Sequence, residues 1–200
     1  MSALEDVYKY TEFIMGSKNF ECDKNKKVGY RFYHSRLVAN LCIYILDNSQ
    51  EEDISENKKK EMQLNKEYIC IAALLHDIKK NEKHHGEKAA DNLKDIFKEI
   101  ALYSCSNDIL NLDDNILKII EDMIRKHGSH GCKNEVNMYY IKLIQDADNM
   151  SRYVNFIPEE VFNYVFDIKK DIEKFFSMKE KIKEKHKNLN YIISKNILKI

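Results

Sequence analysis

The chain has 200 residues, the size of one domain with a short appendage, and 44% of them are apolar, which is enough to form a core. Acidic and basic side chains balance at 33 each, which argues against a general binder of nucleic acid or of membrane surfaces. With one proline and five glycines there are few helix breakers, and abundant Lys, Glu, Leu and Ile predict an all-α fold.

The cysteines and the N-terminal residues predict in which cellular compartment the protein is located. The first residues are acidic and do not resemble a signal peptide, and no apolar run reaches the roughly 18 residues that a spanning helix needs. We therefore expect a cytoplasmic protein with reduced thiols, because its cysteines form no Cys-x-x-Cys pair. The five are Cys22, Cys42, Cys70, Cys105 and Cys132.

Apolar side chains recur at helical spacing along most of the chain. The predicted helices, in chain order, are 4–15, 28–47, one that begins within 58–66 and ends near 80, 87–100, 113–127, 134–153 and 158–187, followed by a short one within 188–200. We expect residues 1–157 to form one helical domain and residues 158–200 to form a helical extension packed on it. The apolar end of the chain also suggests a homodimer, because a second subunit could bury its isoleucines.

The stretch 69–80 organises the chain. A nearly unbroken apolar run ends there in His76 and Asp77, at the end of a helix whose face is buried. A buried polar group without a partner costs several kcal/mol, so this pair needs one. A divalent metal ion would satisfy both side chains, since imidazole and carboxylate are good ligands for it. The alternative is a histidine that is hydrogen-bonded within the core.

Three more side chains that could bind a metal lie on apolar helix faces, namely His34, His127 and Asp148. Asp146 lies on a more mixed face and is the second choice as a ligand. A lone histidine on an apolar face is usually a packed core residue. Several such groups buried together without a cation would each cost about 1–3 kcal/mol. Their nitrogen and oxygen donors suit Mn, Fe, Co, Ni or Zn better than Ca.

Three motifs carry a resemblance to a known family. They are RFYHSRLV at 31–38, ALLHDIKK at 73–80 and ADNM at 147–150. In order and spacing they resemble the HD-domain metal-dependent phosphohydrolases, over about residues 28–155. The family often reads His-Asp-Ile-Gly-Lys, so Lys79 stands where that glycine would be, while Lys80 keeps the lysine position. This difference leaves open the geometry of the turn after the motif.

The resemblance implies a helical-bundle HD domain and a set of metal ligands. His34, His76, Asp77 and Asp148 would hold one ion, and the family motif favours Asp148 over Asp146, as helix phase does. His85 and His127, each followed by glycine, look like the extra ligands of two-metal HD proteins, including those that cleave symmetric dinucleoside tetraphosphates. The resemblance therefore implies one or two divalent ions, with Mg also possible.

Two further histidines leave alternatives open. His84 could replace His85 as a ligand. His130 is expected to lie outside the ligand shell or in solvent.

The function implied by the resemblance is hydrolysis of a phosphate ester or anhydride in a phosphorylated small molecule, expected to be a nucleotide. Asp77 would orient the attacking water, and Lys80 and Arg31 would bind phosphate. The alternative for these cations, and for Arg36, is an exposed salt bridge. Residues 81–86, 103–113 and 128–135 are expected to shape the substrate pocket.

Three other functions remain open. The first is a regulatory HD module that binds metal and nucleotide without turnover. The second is a helical interaction protein, and the third is a metal-dependent oxygenase.

Overall fold

The computed structural model describes residues 2–17, 29–128, 136–151, 187 and 189–197. All regular structure in these ranges is helical, which confirms the all-α fold. The helices are α1 (Ala3–Met15), α2 (Tyr30–Asn48), α3 (Glu56–Leu64), α4 (Lys66–Leu75), α5 (His85–Asp91), α6 (Leu93–Ser104), α7 (Asp114–Lys126), α8 (Met138–Met150) and α9 (Ile192–Ile197), with a 3₁₀ turn at Asp108–Asn111. Residues 158–186 of the predicted helix 158–187 lie outside the described residues, and so do Cys22, Cys132 and His130.

Helical segments are divided at two asparagines. The organising helix, α4, begins at Lys66, within the region predicted for its start, and α3 precedes it across Asn65, whose amide donates to the Tyr140 hydroxyl at 2.8 Å. The helix predicted over 87–100 is likewise divided between α5 and α6 at Asn92, whose amide donates to the Lys88 carbonyl. Asparagine amides compete with the backbone for hydrogen bonds and so interrupt helices.

The organising stretch ends earlier than its predicted helix. α4 stops at Leu75, and residues 76–84 continue as tight turns rather than as helix. Backbone bonds there span three residues, as in Ile78 N–H to the Leu75 carbonyl and Lys80 N–H to the Asp77 carbonyl. His76 and Asp77 are therefore at the start of a turn segment directly beyond a buried helix.

Helix packing brings the ends of several helices together. α2 packs against α4 and α8, and α7 packs against α4, α5 and α8. Small side chains at Ala72 and Ala73, both fully buried in α4, allow this close approach. Asp113 caps α7 by accepting from the N–H groups of Asn115 and Ile116, as its position in the sequence predicts. The bundle thus directs α4 and α7 toward one region between α2 and α8.

Residues 189–197 lie against α2 and α8 through a buried carboxylate. Asp146 accepts hydrogen bonds from the backbone N–H groups of Asn190 and Tyr191, each at 2.8 Å, and from the Asn190 amide. The expectation that Asp146 lies on a mixed face is wrong, because it is fully buried. Burial raises its pKa, although the N–H donors oppose this effect. Its oxygens are therefore engaged by the C-terminal segment.

The cysteines of the described ranges, Cys42, Cys70 and Cys105, carry free thiols; Cys42 is buried in the core and Cys70 is partly buried. Within the same ranges, none of the helices combines the length and the apolar character that crossing a bilayer would require.

Candidate metal centre

Two histidines occupy equivalent positions at helix ends. His76 directly follows α4 and His127 directly follows α7, both with helical backbone angles and both buried. The Nδ1 of His76 lies 2.7 Å from the Ala73 carbonyl, and the Nδ1 of His127 lies 2.8 Å from the Ile124 carbonyl. A carbonyl only accepts, so Nδ1 carries the proton in both rings. The Nε2 lone pair of each ring is then available to a ligand.

His34 shows the same protonation through a different partner. Its Nδ1 lies 3.2 Å from the Ser151 hydroxyl, and that hydroxyl donates its one proton to the Asp148 carbonyl at 2.7 Å. The hydroxyl oxygen therefore accepts from the Nδ1–H of His34, which leaves Nε2 unprotonated. Sequence reasoning missed Ser151. The available signal was a hydroxyl one helical turn after a predicted carboxylate ligand.

Four side chains meet in what we call the first cluster, which consists of His34, His76, Asp77 and Asp148. The Nε2 of His34 lies 3.3 Å from the Nε2 of His76 and 3.1 Å from Oδ1 of Asp148. The Nε2 of His76 lies 3.8 Å from the same oxygen. Asp77 is 3.6 Å from each of the two imidazoles.

The donor geometry of the first cluster fits a divalent ion. The point equidistant from the two Nε2 atoms and the Asp148 oxygen lies about 2.0 Å from each, which matches the zinc–nitrogen bond length of roughly 2.0–2.1 Å. Two unprotonated nitrogens that face each other at 3.3 Å repel unless a cation lies between them. Three of the four residues predicted to hold one ion are thus close enough to contact a single atom, and Asp77 has one oxygen 3.6 Å from the Nε2 of His34 and the other 3.6 Å from the Nε2 of His76.

Asp77 also belongs to a second cluster, which consists of Asp77, His85 and His127. Its Oδ1 lies 3.2 Å from the Nε2 of His85 and 3.6 Å from the Nε2 of His127, and these two nitrogens are 3.1 Å apart. These three atoms could hold an ion, and so could the group His34, His76 and Asp77. A carboxylate shared between two such groups suits a two-metal site.

Two cationic side chains bond directly to the shared carboxylate. A guanidinium N–H of Arg31, which is buried, donates to Oδ2 of Asp77 at 2.8 Å. The Lys80 ammonium donates to Oδ1 of Asp77 at 3.0 Å and lies 3.1 Å from the Nε2 of His85. Neither forms the exposed salt bridge that was the alternative in the sequence. Arg36 lies instead over the rings of Tyr8 and Phe32, 5.7 Å from each centroid.

The pKa values reflect burial and the opposite charges in the clusters. Burial lowers the pKa of His76 to about 3. Burial alone would raise the pKa of Asp77 and of Asp148, but the surrounding histidines hold both well below the usual range. Burial opposes charge on His127, yet the nearby carboxylates of Asp77 and Asp148 raise its pKa. These carboxylates therefore stay ionised and available as ligands at neutral pH.

The remaining candidates fall outside the clusters. His84 is exposed, has a left-handed φ of 54°, and its Nδ1 lies 3.8 Å from a Glu87 oxygen. Gly86 lies so close to α7 that a Cβ there would be 2.8 Å from the Ile124 carbonyl and 3.1 Å from the His127 ring. Of His84 and His85, only His85 thus reaches Asp77. Gly86 has no side chain and therefore allows α5 to lie close enough to α7 for this contact.

A family model described as the HD domain matches residues 31–153, more than half of the chain. The chain belongs to the HD domain family. HD domains are mostly metal-dependent phosphohydrolases that act on phosphorylated small molecules, and the family binds divalent metals. The matched range of this HD domain contains both clusters. No curated protein and no solved structure matched the chain.

Proposed function

We propose that this HD domain is a metal-dependent phosphohydrolase that cleaves a phosphate ester or anhydride in a nucleotide or a related small metabolite. One observation carries the proposal. In His34, His76 and His127 the Nδ1 proton is engaged by a neighbouring oxygen, and each Nε2 lone pair lies within 4 Å of Asp77 or Asp148. Histidines that bind metals typically donate the proton of the other ring nitrogen to a neighbouring oxygen in this way.

The residues that would hold the ions follow from the two clusters. His34, His76, Asp77 and Asp148 would hold one ion, and Asp77, His85 and His127 would hold a second. Bound divalent ions supply a water with a pKa near 7 and positive charge for the phosphoryl oxygens. Nitrogen and oxygen donors without thiolates favour Mn, Fe, Co, Ni or Zn, with Mg as a further possibility.

The protein side chains would orient the reactants. Asp77, fixed by Arg31 and Lys80, would orient the attacking water, and its low pKa keeps the carboxylate ionised as a hydrogen-bond acceptor. Lys80 would contact a phosphate, because 22% of its side chain is exposed while its ammonium lies at the clusters. The buried guanidinium of Arg31 adds a second positive charge on the other oxygen of Asp77.

Two conservative substitutions test the proposal. We expect His76→Gln and Asp77→Asn to lose both bound metal and phosphate release, because each removes a ligand of the first cluster with little change in volume. His84→Gln is the matched control, since His84 is exposed and outside both clusters. Elemental analysis, circular dichroism and a panel of nucleotides and other phosphorylated metabolites with added Mn, Co, Ni or Mg provide the measurements.

The outcomes separate the competing functions. Normal turnover by a folded, metal-free His76→Gln variant would rule out the proposed mechanism. Full metal occupancy without hydrolysis across the panel would favour a non-catalytic regulatory HD module instead.

A further inference from the structure

The second cluster already has a cation bonded to it, and that cation belongs to the protein. The Lys80 ammonium lies 3.1 Å from the Nε2 of His85 and 3.0 Å from Oδ1 of Asp77. An ammonium group only donates hydrogen bonds, so the Nε2 of His85 must be the acceptor in this contact. Lys80 therefore uses two of the three atoms that could bind a second metal ion.

The Lys80 ammonium and a second metal ion would compete for the same lone pair on His85. An imidazole nitrogen has a single lone pair in the plane of the ring, so it can accept from an ammonium or bind a metal ion, but not both. The carboxylate oxygen of Asp77 has more than one lone pair and does not impose the same choice. A metal in the second cluster therefore requires Lys80 to release His85, and the two positive charges would also repel each other.

The first cluster is arranged differently. There the Nε2 atoms of His34 and His76 face each other at 3.3 Å, and the Arg31 guanidinium bonds to Oδ2 of Asp77 rather than bridging a histidine and a carboxylate as Lys80 does. The Nε2 atoms of His85 and His127 are as close to each other, at 3.1 Å, but there the Lys80 ammonium already donates to His85, so the need for a metal ion is greater in the first cluster.

We propose that Lys80 is a built-in competitor for the second metal ion. The resting protein holds one divalent ion in the first cluster, and the second cluster binds an ion only when the Lys80 ammonium leaves His85. A phosphorylated ligand provides the reason to leave, because its anionic oxygens attract the ammonium, and 22% of the Lys80 side chain is exposed. This inference rests on the proposed function in taking both clusters as metal sites and the ligand as a phosphorylated molecule.

Thermodynamic linkage follows from this competition. If phosphate binding removes Lys80 from His85, then phosphate raises the affinity for the second ion, and the second ion raises the affinity for phosphate by the same factor. The complete two-metal site would thus form only with a phosphorylated ligand present.

Equilibrium binding of Mn²⁺ to the full chain tests the proposal without any need for turnover. We expect the wild type to bind one tight ion and a second one more weakly. Lys80→Met removes the competing charge and should strengthen the second site by about tenfold or more. Lys79→Met, which removes the same charge one residue away, should bind like the wild type. Methylphosphonate, a phosphate analogue that cannot be hydrolysed, should strengthen the second site in the wild type but not in Lys80→Met.

Each alternative result has a distinct meaning. Two ions of equal affinity in the wild type, or an unchanged weak second site in Lys80→Met and in Lys80→Gln, would overturn the role of Lys80 and leave the first metal site intact. Failure of the wild type to bind any Mn²⁺ would overturn both this inference and the proposed function. If Lys80→Met impairs folding, Lys80→Gln gives the same comparison, and a second site that does not strengthen in the wild type when methylphosphonate is added would overturn the proposal without any variant.

Discussion

At the scale of single residues, the centre depends on where protons lie on its imidazoles. His76 and His127 donate to backbone carbonyls, which are fixed by their helices. His34 instead relies on one side chain, the Ser151 hydroxyl, and this hydroxyl is itself oriented by the Asp148 carbonyl. Ser151 therefore links two residues of the first cluster, although it is not itself one of the candidate ligands.

We predict that Ser151→Ala weakens metal binding by about 10–100-fold, the usual effect of removing a partner that orients a metal-bound histidine. Without the hydroxyl, the His34 ring loses the bond that fixes its tautomer. Titration of the chelator-treated protein with Mn²⁺ or Zn²⁺ measures the change.

Ser49→Ala is a matched control for this prediction. Ser49 follows α2 as Ser151 follows α8, and its hydroxyl likewise donates to the carbonyl three residues earlier, at 2.8 Å from the Leu46 oxygen. Both variants should lose a similar amount of stability, but only Ser151→Ala should lose metal affinity. Equal metal affinities in the two variants would show that the Ser151 hydroxyl does not orient His34 for metal binding.

At the scale of helices, phase along the sequence predicts which faces are buried and hence where His34, His127 and Asp148 lie. It cannot predict features that depend on distant contacts. The division at Asn65 involves the Tyr140 hydroxyl, 75 residues away, and the burial of Asp146 depends on Asn190, 44 residues away. Hydrophobic periodicity depends only on the residues of one helix, so it does not predict contacts that the helix makes with distant parts of the chain.

The close packing of α5 against α7 also belongs to the scale of helices, and it requires a glycine at position 86. We predict that Gly86→Ala destabilises the protein by about 1–3 kcal/mol and displaces His127, because the new methyl group would meet backbone that cannot move away easily. Urea denaturation and binding of the second metal ion both report the effect.

Gly128→Ala provides the comparison for Gly86→Ala. Gly128 is also next to a histidine of the second cluster, but a Cβ there has no described atom within 4 Å. If both glycine variants behaved alike, close helix approach at Gly86 would not be what positions His127.

At the scale of the whole molecule, α8 joins the metal centre to the C-terminal segment. Asp148 faces the histidines of the first cluster, while Asp146 on the same helix holds residues 190 and 191. Leu189 and Tyr191 are buried, so this part of the chain end contributes to the core. The division into a domain of residues 1–157 and an extension of residues 158–200, and the homodimer, remain predictions.

The central claim is that residues from α2, α8 and the turn after α4 bind one divalent ion together. Anomalous diffraction from crystals grown with Mn²⁺, recorded at the manganese absorption edge, tests this claim most directly. We predict a peak in contact with the Nε2 atoms of His34 and His76 and with carboxylate oxygens of Asp77 and Asp148. Well-ordered crystals that show no manganese among these four side chains would contradict it.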